Sequence, residues 1–294
     1  MAKTVLITGT STGIGRACVE RMAADGWTVY AGVRKQADGD DVASSIAGDV
    51  RPVILDVTKP EQLDAVIARL RDDLGGRGLD GLVNNAGVAF GGPIETLSDE
   101  EWQRHFDINV FGQVRVTREL LPLIMEAKGR VVNIASIAGR VGTAMFGPYA
   151  AGKHALEAFS QALRFEMEDF GVKVACVEPG EVKSAIWAKG DELLETIEAD
   201  FSADVLSRYG RHVDMLTGFM ADGAKHGVPA SRAAKAVHHA LTSARPRHRY
   251  LVGPDAKLVG IAGFLPDKLK ARSLALYAKR WERSGRKMRT RGGR

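Results

Sequence analysis

Ser136, Tyr149 and Lys153 are the side chains of this sequence best suited to moving a proton. Tyr and Lys four positions apart on a helix share one face, one turn from each other. A bare pair of that spacing is commonly a solvated surface pair. Here the setting adds weight: the β-rich run Val131–Ile134 ends just before Ser136, which puts the hydroxyl at the carboxyl edge of a sheet, where doubly wound folds bind ligands. A hydroxyl, a phenol and an ammonium gathered at that edge form an acid–base site. A free phenol titrates near ~10, so a neighbouring cation is needed if it is to work as a phenolate.

A second constellation is Thr8-Gly9-Thr10-Ser11-Thr12-Gly13-Ile14-Gly15, with a helix beginning at once. Glycines here permit a tight turn and let backbone N–H groups approach a pyrophosphate at the positive end of the helix. Their spacing, four then two, differs from the two-then-three of the common dinucleotide fingerprint. After the next strand Arg34 stands 19 residues beyond Gly15, followed by Lys35. An acid at that place grips a ribose 2′-hydroxyl and an arginine accommodates a 2′-phosphate. NADP(H) is therefore the preferred expectation, and NAD(H) stays open because Asp38, Asp40 and Asp41 could neutralise the local field.

These residues need a scaffold, and the pattern of apolar runs supplies one. Candidate strands are Thr4–Thr8, Thr28–Val33, Arg51–Leu55, Gly81–Asn84, Gly129–Ile134 and Lys173–Val177, with Arg249–Val252 a last one. Between them lie helical stretches at Ile14–Ala24, Pro60–Leu74, Asp99–Ala127 (broken near Phe111–Gly112) and Tyr149–Phe170. Alternation of this kind predicts βαβ crossovers and a doubly wound, mostly parallel α/β sheet. Later come an amphipathic pattern through Leu194, Ile197, Phe201, Val205 and Tyr209, and a helix over Ser231–Ala244. The expected division is one domain over residues 1–264, with a helical substrate lid near 184–227, and a basic extension over 265–294.

Composition narrows the function classes. With 45% hydrophobic and 26% charged residues, the 294-residue chain is neither disordered nor fibrous. The net charge of +5 conceals a split: residues 268–294 hold eleven Lys or Arg and one acid, Glu282, for +10, while the rest carries −5. A mildly acidic body gives no footing for nucleic acid. The first apolar run is too short for a signal peptide and no stretch approaches the ~20 apolar residues of a membrane span, so a cytoplasmic protein is expected. Cys18 and Cys176 read as small buried hydrophobes, the adjacent His238 and His239 as surface or core residues, and no metal site is predicted.

In order and spacing, these motifs resemble those of the short-chain dehydrogenase/reductase family from Thr4 to about Ser184. The resemblance includes Asn84-Asn85-Ala86-Gly87, Asn109 and Pro179-Gly180. It implies a Rossmann-like fold and an oxidoreductase passing a hydride between NADP(H) and an alcohol, ketone or aldehyde. It also implies roles. Gly9, Ser11, Gly13, Ile14 and Gly15 would cradle the pyrophosphate, Asp56 and Val57 would meet the adenine, Asn85 and Gly87 would line the adenosine side, and Val182 and Ser184 would hold the nicotinamide amide. Tyr149 would exchange the proton, Ser136 would hold the substrate oxygen, Lys153 would bind the ribose and favour phenolate, and Asn109, in a kinked helix, would seat a relay water. The family has Thr more often where Ser184 stands. The helices Gly112–Ala127 and Tyr149–Phe170, apolar on more than one side, would pair with their copies in a homodimer or homotetramer.

Gly26–Arg34 and the long C-terminal region are similar to the retinol and hydroxysteroid dehydrogenase branch. The apolar residues between Ile186 and Met220 could line a pocket for a lipophilic alcohol, or serve only to dock that segment. Two readings stand for the tail as well: a basic amphipathic segment in peripheral contact with an anionic membrane, or a terminal helix Leu265–Trp281 docked on the body and followed by disordered Glu282–Arg294. A non-catalytic dinucleotide-binding sensor or scaffold is the competing class, and an epimerase or dehydratase the runner-up among enzymes.

Overall fold

The computed structural model describes residues 2–183, 201–262 and 265–292. Its centre is a seven-stranded sheet built from β1 (Thr4–Ile7), β2 (Thr28–Val33), β3 (Val50–Ile54), β4 (Gly81–Asn84), β5 (Arg130–Ile134), β6 (Lys173–Pro179) and β9 (Arg249–Val252). The spatial order is β3-β2-β1-β4-β5-β6-β9 and every pairing is parallel. β1, β2 and β4 are buried along their whole length, as the unbroken Val, Leu and Ile runs require of a sheet covered on both faces. Pro52 is accommodated because β3 is the edge strand.

Two apolar layers sandwich the sheet. On one face α1 (Gly13–Ala24) and α8 (Ala230–Thr242) bury Cys18, Met22, Val237 and Leu241. On the other, α3 (Pro60–Leu74), α5 (Gly112–Glu126) and α6 (Gly147–Glu166) bury Leu63, Leu70, Leu120, Ile124 and Leu163. The direction of winding reverses between β1 and β4, so the loops after those strands splay apart and open a crevice at their carboxyl ends.

Several expectations need correction. Helix α2 (Gln36–Ser45) carries no apolar stripe; only Gly39 and Val42 are buried, and periodicity does not reveal it. The expected break near Phe111–Gly112 is absent. Helix α4 (Asp99–Phe106) widens into a π-turn over Asp107–Phe111 and continues as α5. Gly112 is there for packing, since a Cβ on it would lie 2.6 Å from Val57 Cγ2. Of the pattern through Leu194 and Ile197, those two residues lie outside the described ones; from Ala203 a helix, α7, runs to His226. A short parallel bridge joins β7 (Val182–Lys183) to β8 (Val228–Pro229).

The C-terminus differs most. After α9 (Pro254–Ala262), helix α10 extends from Asp267 to Gly292, so Glu282 to Gly292 is helical, not disordered. It lies along α7. Gly285 packs on the Asp214 carbonyl and Gly218 on the Trp281 carbonyl, with no room for a side chain at either crossing, and Glu282 accepts a 2.7 Å hydrogen bond from Arg211 Nε.

Candidate active site

The crevice encloses about 1000 Å³ and runs from Arg34, Asp56 and Val57 at one end, past Gly9, Ser11, Gly13 and Ile14, to Ser136, Tyr149, Lys153 and Val182 at the other. Its floor is the glycine turn. Gly9 and Gly13 have φ of +68° and +61°, a region that favours glycine. A Cβ on Gly9 would stand 2.8 Å from Ala86 Cα, and one on Gly15 would overlap the Gly9 carbonyl and come within 2.5 Å of Asn85 Nδ2. With α1 starting at Gly13, its unpaired N–H groups lie at the turn. Only glycines let the turn pack this closely, and the open crevice beside it fits an elongated diphosphate.

Asn85 lines the crevice and has a structural duty besides. Its Nδ2 donates to the carbonyls of Thr8 (2.9 Å) and Gly9 (2.8 Å), fixing the glycine turn to the loop after β4. Thr8, which motif reading passed over, completes the clasp. Its Oγ1 accepts from the N–H groups of Asn85 (3.0 Å) and Ala86 (2.9 Å). A buried threonine directly before the first glycine was the available signal.

At the adenosine end Asp56 Oδ1 accepts from Thr58 N and Oγ1, and the Val57 carbonyl accepts from Arg115. Arg34 is exposed at the mouth and, among the described residues, forms no ion pair. Of the three acids close to it in sequence, Asp41 pairs with Arg16 at 2.5 Å and Asp40 accepts from Gln36 Nε2 at 2.7 Å.

At the other end three elements converge. Ser136 follows β5, accepts from Ala138 N at 3.1 Å, and is bonded to Tyr149, which it draws down in pKa. Loss of hydration is the larger effect and raises the Tyr149 phenol above its ordinary value, so the neutral, proton-donating form prevails. Lys153 is buried; its Nζ donates to the Ile134 carbonyl at 2.8 Å and lies 5.7 Å from the Tyr149 ring centroid. Burial brings its pKa down to about 8.

Asn109 stands one layer back, fully buried in the π-turn. It exchanges two 3.0 Å hydrogen bonds with the main chain of Val88, and its Nδ2 lies 3.2 Å from His105 Nδ1. His105 Nε2 lies 2.9 Å from the Phe90 carbonyl, and burial lowers its pKa, which fits a neutral ring donating there and accepting from Asn109. Gly87 lets this loop close: a Cβ on it would be 2.9 Å from Asn109 Oδ1 and 3.8 Å from Lys153 Nζ. His105 was missed; its only signal was a place one helical turn before Asn109. Ser184 lies outside the described residues.

Two further expectations change. Cys176 is buried but not in an apolar setting: its thiol donates to Glu157 Oε1 at 3.0 Å, beside Glu178. Arg140 and Arg249 pair with Glu178, and Arg249 also binds Glu157 at 2.8 Å, so the group is a neutralised network joining α6, β6 and β9. His238, without an acid nearby in sequence, meets Asp25 at 2.9 Å across the α1–α8 contact. No described helix is long and apolar enough to cross a membrane.

A family profile described as short chain dehydrogenase matches residues 3–193. An NADPH-dependent 3-dehydrocapnine reductase from Ornithobacterium rhinotracheale is 33% identical over 90% of this chain and 93% of its own length. A 17-beta-hydroxysteroid dehydrogenase type 6 from Bos taurus is 36% identical over 94% of this chain and 87% of its own. Among solved structures, a short-chain dehydrogenase from Streptomyces avermitilis covers 97% of both chains at 30% identity with a TM-score of 0.74. An actinorhodin polyketide ketoreductase determined with NADPH covers 87% of this chain and 92% of its own at 27% identity, with a TM-score of 0.69. The non-catalytic alternative falls away. The chain belongs to the short-chain dehydrogenase family, in its retinol and hydroxysteroid dehydrogenase branch, and is an NAD(P)-dependent oxidoreductase.

Proposed function

We propose that the protein interconverts a bulky apolar secondary alcohol and its ketone, or the corresponding aldehyde, with NADP(H) preferred. The observation that carries the reading is the shared crevice: a glycine cradle, an arginine without an ion pair among the described residues at one end, and Ser136, Tyr149 and Lys153 at the other. When bound, the nicotinamide supplies a hydride to a carbonyl carbon or accepts one from a carbinol carbon. The protein's part is orientation and proton handling. Tyr149, kept neutral by burial, gives its phenolic proton to the oxygen becoming alkoxide, and Ser136 holds that oxygen by its hydroxyl. Lys153 sets an ammonium beneath the phenol and serves the cofactor ribose. Gly9, Ser11, Gly13, Ile14 and Gly15 hold the pyrophosphate, Asp56, Val57, Asn85 and Gly87 flank the adenosine, Val182 and Ser184 take the carboxamide, and Arg34 receives the 2′-phosphate.

Support for an apolar substrate comes from the cluster of Met145, Phe146, Val213, Leu216, Phe219 and Met220, which lies beside the phenol: the Phe146 ring is 6.3 Å from that of Tyr149. Relatives named retinol dehydrogenase 5 from Mus musculus and hydroxysteroid dehydrogenase point the same way. We assign the protein to the cytoplasm with peripheral membrane contact through residues 265–294, and to a homodimer or homotetramer, an arrangement that would cover the exposed Phe165, Phe170 and Phe111 rings. The test is turnover of a graded series of alicyclic and long-chain ketones with NADPH and with NADH. Rates rising with apolar bulk and larger with NADPH are expected; equal rates on small polar ketones, or a preference for NADH, would defeat the respective parts.

A further inference from the structure

Helix α10 is amphipathic, yet Leu269 and Leu276 face away from the protein. At about 100° per residue, Gly285 is about 180° from Leu276 around the helix, while Leu269, Arg272 and Arg283 fall within about 40° of Leu276. The Gly285 face is the one against α7, where Gly285, Trp281 and Glu282 meet Asp214, Phe219 and Arg211; the Trp281 and Phe219 rings are 4.8 Å apart. The opposite face is open: Leu269 is 51% and Leu276 62% exposed. On α9, Leu258 is 57% and Ile261 69% exposed.

The charges around this apolar row are of one sign. Lys268, Arg272, Lys279 and Arg283 are exposed and, among the described residues, form no ion pair. The one acid of residues 268–294, Glu282, is on the inner side and bonded to Arg211 and Arg286. Apolar patches left open on a protein mark a contact surface. A second copy presenting the same face would set cation against cation, whereas an anionic lipid surface supplies counter-charge for the rim and hydrocarbon for the leucines.

We propose that the outward face of α10 is a docking surface that lies flat on an anionic membrane. This specifies the surface for the peripheral contact proposed above. Vesicle binding is measured without turnover, so a wrong substrate assignment leaves it intact and a failed docking leaves the enzymology intact. Because Trp281 rests on Phe219, whose ring is 5.8 Å from Phe146, the docked helix is also one aromatic step from the ring packed on Tyr149.

The experiment is co-sedimentation of the purified full chain with phosphatidylglycerol–phosphatidylcholine vesicles and with phosphatidylcholine vesicles, at low salt and at about 1 M, where screening shortens to about 3 Å. Binding to the anionic vesicles at low salt and its loss at high salt are expected. Lys268→Gln/Arg272→Gln/Lys279→Gln should lower the partition coefficient about 100-fold, about fivefold per cation. Leu269→Ser/Leu276→Ser should lower it at least tenfold. Unchanged melting temperature and NADPH binding verify that each variant is folded. Equal binding to both vesicle types, no binding to either, or leucine variants that bind like the wild type would overturn the proposal. So would a lipid-free dimer that the leucine variants dissociate, which would make the face a self-association surface.

Discussion

Asn109 and Val88 grip each other through both main-chain groups of Val88: its N–H donates to Asn109 Oδ1 and its carbonyl accepts from Asn109 Nδ2, each at 3.0 Å. The pair ties the π-turn to the loop after β4 and so sets the distance between Gly87 and Lys153. Asn109→Ala leaves two buried main-chain groups unsatisfied and should cost about 1–3 kcal/mol of stability in urea unfolding. Because the loop borders the crevice, kcat should fall as well, with the substrate KM nearly unchanged. A variant that is destabilised yet fully active would show that the clasp is structural only.

Tyr149→Phe keeps the ring that packs at 6.3 Å from Phe146 and removes the phenolic proton. Turnover should fall about 10²–10⁴-fold, the range general acid catalysis supplies. NADPH titration should give the wild-type Kd. Near-normal kcat would mean that the proton comes from another group.

Ser136, Tyr149 and Lys153 were legible because each lies on a strongly periodic element or immediately after one, and the alternation of elements fixed which sheet edge they share. Asn85 and Asn109 were legible as residues but not in their work, since which main-chain carbonyl an amide reaches depends on loops 76 and 21 residues away. Helix α2 and the far half of α10 escaped because polar, charge-rich helices lack the apolar stripe that periodicity detects, even where, as in α10, backbone packing at a glycine holds them. His238 and Asp25 are 213 positions apart, and no local pattern joins them.

Arg34→Asp should reverse the cofactor preference. The guanidinium has no ion-pair partner among the described residues, so a 2′-phosphate would gain a charge-assisted bond without displacing an existing one. With Asp in its place the phosphate is repelled and a free 2′-hydroxyl gains an acceptor. Separate titrations should show NADPH affinity down by about 10–100-fold and NADH affinity equal or higher. Unaltered NADPH affinity would exclude contact between Arg34 and the phosphate.

Lys153 supplies a pH dependence of its own. Burial lowers its pKa to about 8, so the ammonium is present below that pH and lost above it. Affinity for NADPH should decline as pH rises through 8 in the free enzyme, along a single titration curve. Lys153→Met should bind more weakly at neutral pH and show no such step. A wild-type affinity flat from pH 7 to about 9.5 would contradict a titrating Lys153 at the site.

Glu181, directly before β7, gives the converse case. Burial first, then Asp222 and Asp255, raise its pKa to about 7, against a smaller opposing pull from Arg280. A carboxyl whose folded-state pKa lies above its unfolded value stabilises the fold fully below the unfolded value, and that contribution is lost as pH rises through about 7. Between pH 5 and 8 the wild type should therefore lose stability, by about 1–2 kcal/mol once solvent on the open side is allowed for. Glu181→Gln keeps the shape and removes the charge, so its melting temperature should exceed that of the wild type at pH 8 and match it near pH 5. The comparison is a thermal melt series of both proteins across that range. Parallel curves would mean that Glu181 titrates at its ordinary value and that Asp222 and Asp255 do not crowd it.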